Sequence, residues 1–242
     1  MQFHISKNTE DLSRQVADWL VDRISNTLKN QDKFTIALSG GSTPKKLHEL
    51  LASDAYKNKI DWSKLHIFWG DERYVPFTDE RNNAKMAFDT LLDHVPVPKE
   101  HIHIMRTDIP HEESAIEYEQ ILADYFHNST HTFDVVLLGM GDDGHTLSLF
   151  PGKTDVIHEQ KKWTTSLWLD SQDMFRVTLT APVVNQSAAV AFLVTGANKA
   201  HVLHNVIEGE FRPEVYPSQV IKPEPGELHW FIDEAAGEEL KK

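Results

Sequence analysis

The apolar positions of the chain follow two rhythms. Leu12, Val16, Leu20, Ile24 and Leu28 recur every four residues, which predicts an amphipathic helix to about Lys29. Thr9 is its expected cap, with Glu10 and Asp11 in the first turn, where the helix dipole favours acids. Short unbroken apolar runs at Phe34–Leu38, Leu65–Trp69, Val135–Leu138 and Ala188–Val194 predict buried strands. Gln2–Ser6, Ile102–Met105, Trp163–Leu169, Phe175–Leu179 and Leu228–Ile232 read as further strands. Helices are expected after Pro44, which suits a first helical position with Ser42 or Thr43 as cap, over Asn82–Leu92, over Pro110–Phe126, and from the Thr195–Lys199 turn to about Glu208. Pro182–Gln186 reads as a short turn or helix.

Strands and helices that alternate in this way imply βαβ units. The expected fold is α/β, a mostly parallel sheet with helices on both faces, in one domain spanning residues 1–242. Ligands of such sheets gather at the carboxyl ends of the strands. Glycine-containing turns stand at four of those ends, after Leu38, Trp69, Leu138 and Val194.

Composition narrows the chemistry. The chain has no cysteine, which removes disulfides and thiolate metal sites. It has no apolar run near the ~20 residues of a membrane span and no apolar signal core at its start, so a cytoplasmic protein without membrane contact is expected. The net charge of −13 argues against a nucleic-acid partner. It also means that an anionic ligand needs a local island of positive charge.

Gly139-Met140-Gly141-Asp142-Asp143-Gly144 is a literal G-x-G-x-x-G after a strand. A dinucleotide would meet two carboxylates inside that loop, and Pro151 leaves little room for the helix that should follow. The loop reads better as catalytic. His145 can both take and give a proton near neutral pH, Asp143 or Asp142 could orient its ring, and the N–H groups of Gly139, Gly141 and Gly144 could hold an oxyanion. The bland alternative is a turn with a capping histidine. Ser39–Pro44 is a glycine turn feeding a helix N-terminus, which is either a phosphate cradle or a well-made turn, and it lacks the spacing and lysine of a P-loop. In Gly70-Asp71-Glu72-Arg73, Arg73 could grip a phosphate, or the segment could be an exposed charged turn. Lys199 at a helix start invites an anionic partner. Arg176, inside an apolar strand, needs a partner or must face solvent. His101 and His103 would share a strand face and His201 and His204 a helix face; all four read as surface histidines rather than metal ligands.

The segments SGGSTP, FWGDERYVP with Asn82-Asn83 downstream, GMGDDGHTLSLFPG, RVTLTAPVVNQS, VTGANKA and LHWFIDEAA, in that order, resemble the 6-phosphogluconolactonase family over most of the chain. Leu147, where a small residue is usual, and Met174-Phe175, where proline is common, are departures. The resemblance implies a Rossmann-like three-layer α/β/α fold and hydrolysis of 6-phospho-D-glucono-1,5-lactone without metal or organic cofactor. It implies His145 as catalytic base, kept oriented by Asp143. Arg73 and Lys199 would be contacts to the phosphate or carboxylate side, with Gly40, Gly41, Ser42 and Thr43 lining the same pocket. Asp71, Arg176, Gly139, Gly141 and Gly144 complete the candidate substrate-binding set. The expected partner is a small sugar-phosphate lactone, and the expected state a monomer. A sister activity, amino-sugar-phosphate isomerisation and deamination, is expected to need Asp-Glu-Tyr where this chain has Asp71-Glu72-Arg73.

Overall fold

The computed structural model describes residues 1–241. In chain order the elements are β1 (Gln2–Ser6), α1 (Thr9–Thr27), β2 (Phe34–Leu38), α2 (Ser42–Ala52), β3 (Leu65–Trp69), β4 (Asp71–Arg73), α3 (Asn83–Thr90), α4 (His111–Phe126), β5 (Val135–Leu138), α5 (Thr154–Ile157), β6 (Thr164–Leu169), β7 (Met174–Leu179), α6 (Ala181–Asn185), β8 (Ala189–Val194), α7 (Ala200–Glu208) and β9 (Glu227–Asp233).

The apolar runs become a six-stranded parallel sheet of order β1-β9-β8-β5-β2-β3. Alternate residues of each central strand enter opposite cores. Ile36, Ile67, Val135, Leu137 and Leu193 pack with Leu12, Val16 and Leu20 of α1 and Leu47 of α2. Ala37, Phe68, Val136, Leu138 and Phe192 pack on the other side with Tyr118 and Leu122 of α4 and Leu203 of α7. A second, antiparallel sheet of order β4-β7-β6 adds Leu167, Val177 and Leu179 to that second core. The fold is therefore α/β with helices on both faces, and one face also carries the small sheet.

Chain order reverses between β2 and β5: β3 lies on one side of β2, and β5 and β8 on the other. A crevice forms at the carboxyl ends of the strands at such a switch point. Here it lies between the Ser39–Gly41 turn and the loop after Leu138.

Some local expectations are corrected. The α1 cap is Asn8, not Thr9: the extended Asn8 backbone lets its side-chain oxygen accept from the N–H groups of Glu10 and Asp11, both at 2.9 Å. The helix α2 starts at Ser42 behind Gly41, without a side-chain cap, and Pro44 is its third residue. Ile102–Met105 does not form a strand; Ile102 makes one parallel bridge to Ile67 at the sheet edge, and the chain then leaves it. Asp71–Arg73 is a strand rather than a turn, paired with Arg176–Thr178 of β7.

Candidate active site

The loop after β5 folds back on itself. Asp143 Oδ1 accepts from the His145 backbone N–H at 3.0 Å and lies 2.5 Å from His145 Nδ1. A carboxylate oxygen accepts only, so Nδ1 carries a proton and, in the neutral ring, Nε2 is the nitrogen with the lone pair. Burial pushes the Asp143 carboxyl up, but the hydrogen bond and charge of His145 and local backbone N–H groups outweigh it and hold it below the usual carboxylate value. It is thus Asp143, and not Asp142, that meets the ring. Phe150 stacks on the imidazole at 4.1 Å and sets its plane.

Gly141 is required by close approach. A Cβ there would stand 2.1 Å from His145 Nδ1 and 2.5 Å from Asp143 Oδ1. Its N–H, however, donates to His145 O at 2.8 Å, and the Gly144 N–H donates to Gly141 O at 3.2 Å. Both amides are used within the turn, which corrects the expectation that they would hold an oxyanion. The amides of Gly40 and Gly41 make no hydrogen bond among the described residues, and both glycines line the cavity beside His145. Gly41 adopts φ 104°, a region that side chains disfavour, and delivers the chain directly into the uncapped N-terminus of α2.

The opposite wall comes from the small sheet. Arg176 and Asp71 are 3% and 5% exposed. Arg176 donates to Asp71 Oδ2 at 2.6 Å and to Gln172 Oε1 at 2.9 Å, which answers how an arginine sits in an apolar strand. Burial alone would raise the Asp71 pKa; Arg176, Arg73 and the Ser148 hydroxyl at 2.7 Å outweigh it and keep the group below its usual value. Arg73 donates to the Arg81 carbonyl at 2.9 Å. The Nε atoms of Arg73 and Arg176 are buried without a partner among the described residues, and both arginines line the cavity of about 190 Å³. No group of three or more His, Asp or Glu side chains among the described residues is placed to hold a metal ion, and no helix there is long and apolar enough to cross a membrane.

The model of the family described as glucosamine-6-phosphate isomerases/6-phosphogluconolactonase matches residues 7–230. The chain belongs to this glucosamine-6-phosphate isomerase/6-phosphogluconolactonase family. Within it, the chain is 42% identical to the 6-phosphogluconolactonase of Nostoc sp. over 98% of this chain and 99% of the relative. It is 40% identical to that of Synechocystis sp. over 99% and 98%. Among solved structures, the devB protein superposes with a TM-score of 0.90 at 32% identity, covering 99% of each chain. The 6-phosphogluconolactonase from Trypanosoma brucei superposes with a TM-score of 0.85 at 27% identity, covering 99% of this chain and 98% of that one.

In this member of the family, His145, Asp71, Arg73, Arg176, Gly40, Gly41 and Gly139 meet around one cavity, and Asp143 touches it through His145. Ser42 and Thr43 stand behind the lining, at the start of α2. Lys199 does not line the cavity. It heads α7, on a turn tied to α2 by the contact of Thr43 Oγ1 with Thr195 Oγ1 at 3.0 Å. Four lining residues, Ser39, Asn83, Met140 and Leu147, stand outside the candidate set read from the sequence. Leu147 holds a left-handed φ of 54° between His145 and Ser148, pinned by Ser148 bonds to Asp71 and Thr178. Asn83 was visible only as half of the Asn82-Asn83 pair downstream of Gly70–Arg73.

Proposed function

We propose that this family member hydrolyses 6-phospho-D-glucono-1,5-lactone to 6-phospho-D-gluconate, the lactone-opening step of the oxidative pentose phosphate pathway, as a cytoplasmic monomer whose whole chain acts as one domain. The lactonases that share 40–42% of its residues support that choice within the family. The observation that carries the mechanism is the pairing of His145 Nδ1 with Asp143, which leaves Nε2 as a fixed base in a cavity rich in hydrogen-bond donors.

Neutral His145 takes a proton from water through Nε2 as the water oxygen bonds to the lactone carbonyl carbon. The carbonyl oxygen becomes an oxyanion, and the free amides of Gly40 and Gly41 are its donors. The intermediate collapses, the bond from carbonyl carbon to ring oxygen breaks, and His145 returns its proton to that oxygen. Asp143 keeps the ring oriented and stabilises its charged form. Arg73 and Lys199 take the phosphate. In this reading the phosphate lies between Arg73, which lines the cavity, and Lys199, which stands outside the lining, with the lactone ring in the cavity of about 190 Å³.

The test is the rate of hydrolysis of freshly made lactone with and without its 6-phosphate, in wild type, Arg73→Ala and Lys199→Ala. Wild type should prefer the phosphorylated lactone, and each variant should lose most of that preference, by roughly 2–5 kcal/mol where the contact is desolvated. An unchanged preference in both variants removes the phosphate assignment. Ammonia release from glucosamine 6-phosphate in place of lactone hydrolysis overturns the activity itself.

A further inference from the structure

Asn83 is a polar cavity residue that the proposed chemistry leaves without a task. It is 2% exposed and opens α3. Its side-chain orientation follows from its neighbours. Nδ2 lies 2.8 Å from the Asp71 carbonyl and 3.4 Å from Asp71 Oδ1. Both of these atoms only accept, so the amide nitrogen must face them and Oδ1 must face away. Oδ1 looks towards the Gly40 turn, where a Cβ on Gly40 would stand 1.9 Å from it.

The main chain of Asn83 is held as firmly. Its N–H donates to Glu72 Oε1 at 2.6 Å, and the next N–H, of Ala84, donates to Glu72 Oε2 at 2.8 Å. Glu72 is itself 0% exposed and also accepts from the Arg73 N–H at 2.8 Å. Asn83 Oδ1 accepts no hydrogen bond among the described residues. It is thus an acceptor held in place with nothing to accept from.

The rest of the cavity offers mostly donors: the amides of Gly40 and Gly41 and the guanidinium groups of Arg73 and Arg176. Arg176 and Ser148 both donate to Asp71 Oδ2, and Asp71 Oδ1 faces the Asn83 amide nitrogen at 3.4 Å. Donors can hold an oxyanion, a carbonyl or a phosphate, but a hydroxyl also needs somewhere to place its hydrogen. We propose that Asn83 Oδ1 accepts a hydrogen bond from one ring hydroxyl of the lactone, and so selects a hydroxylated ring and sets its orientation over His145. This rests on the lactonase reading and adds to it the residue that reads the sugar ring.

The test is a substrate–enzyme cycle. The 2-, 3- and 4-deoxy analogues of the 6-phospholactone are compared with the parent in wild type, Asn83→Ala and Asn83→Ser, and kcat/KM is read as a ratio of analogue to parent within each enzyme. That ratio does not depend on how much of a variant is folded. In wild type, one analogue should fall by roughly 10–100-fold, the cost of leaving a buried acceptor unpaired. Both variants should show nearly the same kcat/KM for that analogue as for the parent. If the variants discriminate as wild type does, the assignment of Asn83 is overturned while the lactonase reading stands. If wild type does not hydrolyse the parent lactone, both fall.

Discussion

Replacing Asp71 should reveal what the buried ion pair does for the protein. Asp71 and Arg176 are almost wholly buried and 2.6 Å apart, and Ser148 adds a third partner. Removing one member of such a pair leaves the other charge uncompensated, at a cost of about 3–5 kcal/mol. For a chain of this length each kcal/mol moves the thermal midpoint by about 2–4 °C, so Asp71→Ala should melt about 6–20 °C below wild type. Asp71→Asn keeps the shape and an acceptor for Ser148, and should fall at the low end. The native Asp71 pKa lies below its unfolded value, so its contribution is present above the ordinary carboxylate range and is lost as pH falls through the native value. The gap between wild type and Asp71→Asn should therefore close in acid. The double variant Asp71→Leu/Arg176→Met should recover much of the stability, because well-packed apolar pairs often replace buried ion pairs without loss. It should not recover turnover, since the cavity then loses the Arg176 guanidinium and the Ser148 anchor. Thermal unfolding followed by circular dichroism at pH 7 and at pH 3.5, with lactone turnover alongside, measures all three. An Asp71→Ala protein within about 1 kcal/mol of wild type at pH 7 would refute the reasoning.

Gly141→Ala should act at a distance of one residue shell. Its methyl would stand 2.1 Å from His145 Nδ1, so the ring must leave Asp143, and turnover should fall by about 10²–10⁴ while the thermal midpoint moves little; unchanged turnover would show that the Asp143–His145 contact is dispensable. At the opposite end of the sheet, burial pushes His66 and His103 down to about 4, and both rings share the Tyr125 hydroxyl, at 3.1 and 2.7 Å. The unfolded chain binds these protons more readily, so stability is fully present above pH 6.5 and is lost as pH falls towards 4. The slope of unfolding midpoint against pH in that window should flatten in His103→Asn, and an unaltered slope would assign acid lability elsewhere.

Most of the sheet was legible because its strands are buried on both faces, and unbroken runs such as Val135–Leu138 carry that signature without long-range help. The turns at the carboxyl ends were legible as the place for a site, whereas the switch point needed the strand order of the folded sheet. Asp71–Arg73 was not legible as a strand: three charged residues in a row read as a turn, and partners as distant as Ser148 and Arg176, 77 and 105 positions away, make Asp71 tolerable in the interior. Asn83 was hidden although its anchor is only 11 positions away, because its placement depends on a buried Glu72 accepting backbone N–H groups. The choice between Asp142 and Asp143 needed the fold of the turn, as did the finding that Gly141 and Gly144 use their own amides. His101 and His103, read as strand-face surface residues, stand instead in a partly buried cluster with His66 and Tyr125, because that segment leaves the sheet edge after one bridge.

The central claim is that the Nε2 of His145 moves the proton that opens the lactone. The direct measurement is the steady-state turnover of His145→Ala on freshly generated 6-phospho-D-glucono-1,5-lactone, corrected for spontaneous hydrolysis. The account predicts a fall in kcat of about 10²–10⁴ with KM nearly unchanged. Turnover close to wild type would contradict it.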